Sequence, residues 1–121
     1  MSAPRPFEGS RALVVDDDPA IVHLLRLFLE QLGFSVASAA SGPEALASLA
    51  QQPVELAITD LAMPGMTGID LIREARSRGL DNEFVVLTAV GSVPTAVQAV
   101  KSGAFEFLEK PVRFDQLRTT V

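Results

Sequence analysis

The stretch that decides the fold reads RALVVDDDPAIVHLLRLFLEQLG and covers residues 11–33. It begins with a short apolar run, typical of a parallel strand that is buried on both faces. Asp18 and Pro19 then match the N-cap and the first position of a helix, and Gly33 matches its C-terminal stop. The spacing of the apolar residues predicts that one helix face points inward and carries Ile21, Leu24, Leu25, Phe28 and Leu32.

The same alternation of strand and helix recurs along the chain. Apolar runs at 34–38, 54–59, 83–88 and 105–108 predict four more strands. Helix-start signals lie between them: a capping-box pattern from Ser41 to Glu44, another start at Thr67, and one at Ser92. A fifth helix begins around Phe114 and Leu117. Five such units predict an α/β fold, a doubly wound open (βα)₅ sheet.

Composition limits the possible functions. The chain has 121 residues, which suit one domain, and 48% of them are hydrophobic, enough for a core. The absence of Cys excludes disulfides and thiolate metal sites. Ten basic and 15 acidic residues give a net charge of −5, which argues against nucleic-acid binding by this domain.

Neither the ends of the chain nor its apolar stretches indicate a membrane. The first ten residues lack the apolar core of a secretory signal, and no stretch reads as a membrane span, so a cytoplasmic location is expected. We expect residues 1–10 to be a flexible tail. Residues 11–121 then form the domain, and the sequence stops within its last helix.

Polar residues follow four of the five predicted strands. The acidic run at 16–18 follows the first, Asp60 ends the third, Thr88 ends the fourth, and Lys110 follows the fifth. Each has an ordinary alternative as a helix cap, a solvated loop acid, a strand end or a surface lysine. Because function in such sheets lies beyond the carboxyl ends of the strands, we expect these groups to meet at one edge.

The chemistry of this set is that of a phosphoryl site. Close carboxylates repel one another unless a hard dication lies among them, and oxygen ligands at low count suit Mg²⁺. A carboxylate nucleophile with a cation, an ammonium and a hydroxyl can bind a phosphoryl group. The sequence contains neither GxxxxGK[ST] nor GxGxxG, so no nucleotide-binding loop is predicted.

Four segments carry a resemblance to a known family: LVVDDD (13–18), ITDLAMPGMTG (58–68), VVLTA (85–89) and FLEKP (107–111). In order and spacing the chain resembles the receiver domain of two-component response regulators, from about residue 11 to 117. The resemblance implies a flavodoxin-like fold whose five-stranded parallel sheet has the strand order 2-1-3-4-5.

The resemblance also implies a role for individual residues. Asp60 would be the phospho-acceptor, and Thr88 and Lys110 would bind the phosphoryl group. Mg²⁺ or Mn²⁺ would be held by the carboxylates of Asp16, Asp17 and Asp60 and by the backbone carbonyl of Ala62. Pro64 and Gly68 would shape the loop after Asp60. Pro111 would follow Lys110 through a cis peptide bond.

Two departures from the family pattern affect the expected behaviour. Thr88 and Phe107 would form the switch, but many family members have Tyr where this chain has Phe107, so an ordinary core phenylalanine stays an alternative. Ala62 and Val90 are apolar at positions where polar side chains often orient water. We therefore expect slow autodephosphorylation.

The partners implied by the resemblance are a sensor histidine kinase or a phosphotransfer protein and a C-terminal output domain. A homodimer would form through the fourth helix, fifth strand and fifth helix. The domain would catalyse its own modification and turn over no free substrate, and it would bind neither nucleic acid nor a membrane.

Two other functions stay open. One is an interaction module that is never phosphorylated. The other is a phosphohydrolase of the haloacid-dehalogenase type with Asp16 as nucleophile, although Pro19 follows its DxD motif where that family has Gly-Thr-like residues. His23 is interpreted as structural or surface, since phosphotransfer histidines lie in all-helical domains. The arginines of the third helix are interpreted as a solvated face: Arg73, Arg76 and Arg78.

Overall fold

The computed structural model describes residues 7–88, 94, 97, 101, 103, 104 and 106–109. The five strands are β1 (Arg11–Val15), β2 (Ser35–Ala39), β3 (Leu56–Asp60), β4 (Glu83–Thr88) and β5 (Glu106–Glu109). The described helices are α1 (Pro19–Gln31), α2 (Gly42–Gln51) and α3 (Gly68–Ser77). All neighbouring strands are parallel, and their order is β2-β1-β3-β4-β5. The predicted doubly wound α/β fold is therefore confirmed.

The predicted strand limits are matched at two strands and shifted at three. β1 and β4 have the predicted limits, whereas β2 and β5 each lie one residue further along the chain. β3 begins two residues later than predicted, at Leu56, and extends to Asp60. Asp60 is therefore part of the sheet, in register with Leu87 of β4.

The fourth predicted helix is described only in part. Pro94, Val97 and Lys101 are helical and exposed, and Gly103 has a φ of 119°, a conformation that suits a glycine after a helix. Val97 is an apolar residue that is 41% exposed. The start predicted at Ser92 and the fifth helix at Phe114 and Leu117 lie outside the described residues.

Strand alternation divides the core between the two faces of the sheet. Leu13 and Val15 of β1 belong to a cluster with α2 and α3, while Ala12 and Val14 belong to a cluster with α1. Successive side chains of a strand point to opposite faces, so each strand contributes to both clusters. This double coverage explains the continuous apolar runs in the sequence.

The inward face of α1 differs from the prediction at two residues. Leu25, Phe28 and Leu29 are buried, although Leu29 was not predicted, and Leu24 is 48% exposed. The buried stripe has the spacing i, i+3, i+4 and continues to Leu32, and this places Leu24 outside it. The prediction for Leu24 was wrong because a helix has 3.6 residues per turn. The spacing of apolar residues therefore does not decide on which side the buried face ends.

The helix starts at Asp18, Ser41 and Thr67 lie where the sequence predicts them, and two of the three have complete caps. Asp18 accepts from the N–H of Ala20 at 2.9 Å. Thr67 and Asp70 form a reciprocal capping box. At α2, Ser41 accepts from the Glu44 N–H at 3.3 Å, but the Glu44 carboxylate accepts from Ala40 instead of Ser41. The capping box predicted there is thus only half formed.

Residues 7–10, which we expected within a flexible tail, pack onto the domain. The Phe7 ring stacks on Phe34 at 4.7 Å between centroids, and the Phe7 N–H donates to the Leu32 carbonyl at 2.8 Å. Gly33 permits this approach: its φ is +108°, and a Cβ there would lie 2.5 Å from the Glu8 nitrogen. The folded part of the chain therefore includes residues 7–10.

Arg76 is not a solvated side chain, contrary to the prediction for the arginines of this helix. Its guanidinium donates to the Leu80 carbonyl at 2.8 Å and to the Gly103 carbonyl at 3.0 Å. It also lies 5.2 Å from the centroid of the Phe84 ring. Arg73 and Arg78 are exposed, as expected for a solvated face.

Candidate phosphoryl-transfer site

Three carboxylates converge at the carboxyl end of the sheet. Asp16 and Asp17 follow β1 directly, and Asp60 ends the neighbouring strand β3. One oxygen from each carboxylate lies within 4.8 Å of the others. Asp16 is 2% exposed and Asp60 is 7% exposed, whereas Asp17 faces solvent. The predicted cluster is thus brought together by parallel pairing of β1 with β3.

Backbone contacts hold the two buried acids in place. The Asp16 N–H donates to the Ala39 carbonyl of β2 at 3.1 Å, and its Oδ1 accepts from the Asp18 N–H at 2.9 Å. On the other strand, Asp60 Oδ1 accepts from the Ala62 N–H at 3.4 Å. The acids are therefore fixed by the turns that follow their own strands.

The donor set fits a hard divalent cation. Three carboxylates this close together can place several negative oxygens around one cation, which would balance their charge. Oxygen ligands suit Mg²⁺ and Mn²⁺, and Mg²⁺ retains several water molecules, so a few protein ligands suffice. Asp16, Asp17 and Asp60 could hold such an ion, with one side open to solvent through Asp17.

The loop after Asp60, residues 61–67, is closed at its base. The Leu61 N–H donates to the Leu87 carbonyl of β4, and the Gly68 N–H donates to the Leu61 carbonyl, both at 2.9 Å. Gly68 is required for this closure, since a Cβ there would lie 2.7 Å from the Asp60 carbonyl oxygen. Pro64 is exposed in the loop, where Gly65 has a φ of 77°.

Thr88 and Phe107 lie on neighbouring strands on one side of the site. Thr88 ends β4 and is 1% exposed. Phe107 is half-buried and packs against the cluster of α2 and α3. It pairs with Val86, two residues before Thr88, so the pleat directs Thr88 and Phe107 to the same face of the sheet.

Three residues of the predicted site lie outside the described residues: Lys110, Pro111 and Val90. His23 is exposed on α1 and borders a groove of about 490 Å³ beside Asp16 and Asp17. Sequence reasoning missed a contact between Met66 of the loop and Gly42 of α2, because Gly42 was read only as part of a helix start.

Comparisons with known proteins agree with this architecture. Residues 12–121 match the family described as the response regulator receiver domain. The response regulator protein PilR of Pseudomonas aeruginosa is 40% identical over 111 residues, 92% of this chain and 25% of PilR. The transcriptional regulatory protein GlrR of Escherichia coli is 45% identical over 105 residues, 87% of this chain and 24% of GlrR. The chain thus spans about a quarter of the length of these relatives.

Solved structures give the same result. A receiver domain protein from Clostridium thermocellum has a TM-score of 0.85 and 33% identity, covering 92% of this chain and 90% of that one. Full-length FixJ from B. japonicum has a TM-score of 0.87 and 32% identity, covering 94% of this chain and 56% of FixJ. None of the helices within the described residues has the length and apolar character needed to cross a membrane. With matching sequence, strand order and neighbours, this chain belongs to the family of response regulator receiver domains.

Proposed function

We propose that Asp60 accepts a phosphoryl group from the phosphohistidine of a sensor histidine kinase or a phosphotransfer protein. The observation that carries this proposal is the position of Asp60. It is a buried carboxylate at the end of β3, within 4.8 Å of the two acids that follow β1. This arrangement supports Asp60 as the modified residue, because it is the one acid of the three with acids on the adjacent strand and a hydroxyl, Thr88, on the other.

The transfer is a simple displacement at phosphorus. A carboxylate oxygen of Asp60 attacks phosphorus in line, the P–N bond breaks, and its electron pair returns to the imidazole nitrogen of the donor. Asp16, Asp17, Asp60 and the backbone carbonyl of Ala62 would hold Mg²⁺ or Mn²⁺. A bound divalent cation supplies charge neutralisation for the phosphoryl oxygens.

After transfer, the new charge is met by groups from the neighbouring strands. A phosphoryl group adds about two negative charges and three acceptor oxygens. We propose that the Thr88 hydroxyl donates to one of these oxygens and that Lys110 pairs with another. The movement of Thr88 would leave space that Phe107, on the same face of the sheet, can fill. Pro111 would follow Lys110 through a cis peptide bond, as the resemblance to receiver domains implies.

The altered surface would then act on other parts of a longer protein. The relatives are about four times as long as the region they share with this chain, which supports a C-terminal output domain. We propose that phosphorylation changes the face formed by the fourth helix, β5 and the fifth helix. A homodimer through this face is one form that this output could take.

Mass spectrometry after incubation with Mg²⁺ and acetyl phosphate tests the assignment. We expect addition of one phosphoryl group to the wild type and to the His23→Ala variant, which changes an exposed residue of α1. Asp60→Asn should abolish the addition. Addition that survives Asp60→Asn and is lost in Asp16→Asn would instead support the phosphohydrolase. No addition to the wild type, even with phosphorylated kinase, would support the interaction module.

The lifetime of the phosphorylated protein is a separate proposal. Ala62 is exposed beside Asp60 and apolar, so its side chain cannot orient an attacking water. Val90 has the same property by its chemistry. We propose slow loss of the phosphoryl group, and Ala62→Gln should accelerate it by about tenfold. Decay of the isolated wild-type phosphoprotein within seconds would contradict this.

A further inference from the structure

The side chain of Met66 lies directly on Gly42, the first residue of α2. A Cβ placed on Gly42 would be 2.5 Å from the Met66 Sδ, 2.7 Å from its Cγ and 2.8 Å from its Cβ. No backbone reason for glycine exists here, because Gly42 is absent from the glycines with positive φ. The space that the missing side chain leaves is therefore occupied by Met66.

Met66 belongs to the loop that follows Asp60. The base of this loop is fixed by the hydrogen bond from Gly68 to the Leu61 carbonyl. Within the loop Met63 is buried in the core, whereas Ala62 is exposed. Met66 follows Met63 in the loop and contacts Gly42 of α2. This contact attaches the loop at a second place, outside the core position of Met63.

We infer that Met66 and Gly42 together are positioning residues for the metal ligand supplied by the loop. This inference rests on the proposed function, in which the Ala62 carbonyl is a ligand of Mg²⁺. The base of the loop and Met63 are already fixed. The position of Met66 therefore limits the conformations that the rest of the loop can adopt. A side chain on Gly42 would displace Met66 and so rotate the peptide groups between Leu61 and Thr67.

The properties of methionine and glycine explain how their contact can position the loop. Methionine is flexible and fills irregular gaps, so its position depends on the surface that receives it. Gly42 provides a backbone surface without a side chain at the first residue of α2, next to the N-cap Ser41. Groups that orient a metal ligand without touching the metal typically change metal affinity by about 10- to 100-fold when they are removed.

The test is a double-mutant cycle with Mg²⁺ affinity as its readout. Because the chain has no Trp and no Tyr, Mg²⁺ binding is followed by amide chemical shifts in NMR rather than by intrinsic fluorescence. We expect Gly42→Ala to weaken Mg²⁺ binding about tenfold. In the Met66→Gly background, which also removes the Cβ that lies 2.8 Å from the added methyl group, Gly42→Ala should change the affinity by less than about twofold.

A rate measurement separates positioning from a catalytic defect. Phosphorylation of Gly42→Ala by acetyl phosphate should require about tenfold more Mg²⁺, while the rate at saturating Mg²⁺ stays within about twofold of wild type. Pro43→Ala is the matched control, since it changes the exposed next residue of α2 and leaves Gly42 free to receive Met66. It should leave the Mg²⁺ affinity unchanged.

Two results would overturn the inference while leaving the proposed function intact. One is an unchanged Mg²⁺ affinity in a folded Gly42→Ala protein that is still phosphorylated at Asp60. The other is an equal loss of affinity with and without Met66, which would place the effect in α2 itself. If instead the wild type neither binds Mg²⁺ nor is phosphorylated, the proposed function has failed, and the inference fails with it.

Discussion

Polar side chains have different partners at the two ends of the sheet. At the amino end, polar side chains complete the backbone: the Glu55 carboxylate accepts from the Arg11 N–H at 2.6 Å, and the buried Asn82 donates to the Glu83 carbonyl. At the carboxyl end, buried acids lie beside each other. The amino end is therefore organised for stability. The carboxyl end concentrates like charges, which cost stability and create a site.

The largest effect on stability should come from the amino end. Gly33→Ala combines a φ of +108° with a clash against the backbone of Glu8, so we expect a loss of about 3 kcal/mol in the free energy of unfolding. Urea denaturation followed by far-ultraviolet circular dichroism measures it. Gly79→Ala is the control, because its φ is +78° but nothing lies within 4 Å of the added Cβ, and it should lose about 1 kcal/mol. Equal losses in the two variants would refute a role for the Glu8 contact.

Phe7→Ala tests the same region without altering a backbone angle. It removes a half-buried ring stacked on Phe34, so we expect a loss of about 2 kcal/mol. Phosphorylation by acetyl phosphate should be unchanged, because the site is at the other end of the sheet. Leu27→Ala, at a residue that is 47% exposed, should change stability by less than about 0.5 kcal/mol. A Phe7→Ala protein as stable as Leu27→Ala would show that residues 7–10 add nothing to the fold.

At the carboxyl end, we expect a substitution to increase stability rather than to decrease it. In the absence of divalent cations, Asp60→Asn removes one of three adjacent negative charges while keeping an oxygen for the Ala62 N–H. We therefore expect a gain of about 1 kcal/mol in stability. Added Mg²⁺ should stabilise the wild type more than the variant, since a ligand stabilises the state that binds it. Asp81→Asn, at an exposed acid near the amino end, should show neither effect. A destabilised Asp60→Asn protein would contradict the proposed repulsion.

The smallest effect should come from a charge pair on the surface. Arg78 and Glu74 form an ion pair of 3.0 Å on α3, with side chains that are 49% and 44% exposed. Arg78→Ala should lower stability by about 0.3 kcal/mol, and about 1 M salt should remove even that difference. Thermal unfolding at low and high salt measures it. A loss comparable to that of Phe7→Ala would mean that this pair is less screened than its exposure implies.

Much of the fold could be predicted because its signals are local. The apolar run before Asp16 and the cap at Asp18 fixed the first βα unit to the residue. Two of the predictions that failed depend on how distant parts of the chain pack. The burial of Leu24 depends on how α1 is rotated on the sheet. Arg76 appears solvated in sequence because its acceptors at Leu80 and Gly103 are chosen by the tertiary structure.

The candidate site was also predictable in its composition. Asp16, Asp17 and Asp60 occupy strand ends, and parallel strands bring such ends to a common edge. Their roles came from the resemblance to receiver domains rather than from the residues alone. What sequence could not supply is the packing around the site. Nothing in Ser41-Gly42-Pro43 indicates that a methionine 24 positions later rests on that glycine.

The turn at residues 7–10 has a consequence for how such domains are inherited. Gly33 tolerates no side chain because the backbone of Phe7 and Glu8 passes over it. A receiver transferred between genes from β1 onward would lose the segment that excludes a side chain at Gly33, and only its φ of +108° would still favour glycine. Selection on the position would then relax in part. Among relatives, we therefore expect glycine at this position to be inherited together with an aromatic residue ahead of β1, and to vary where that segment has been exchanged.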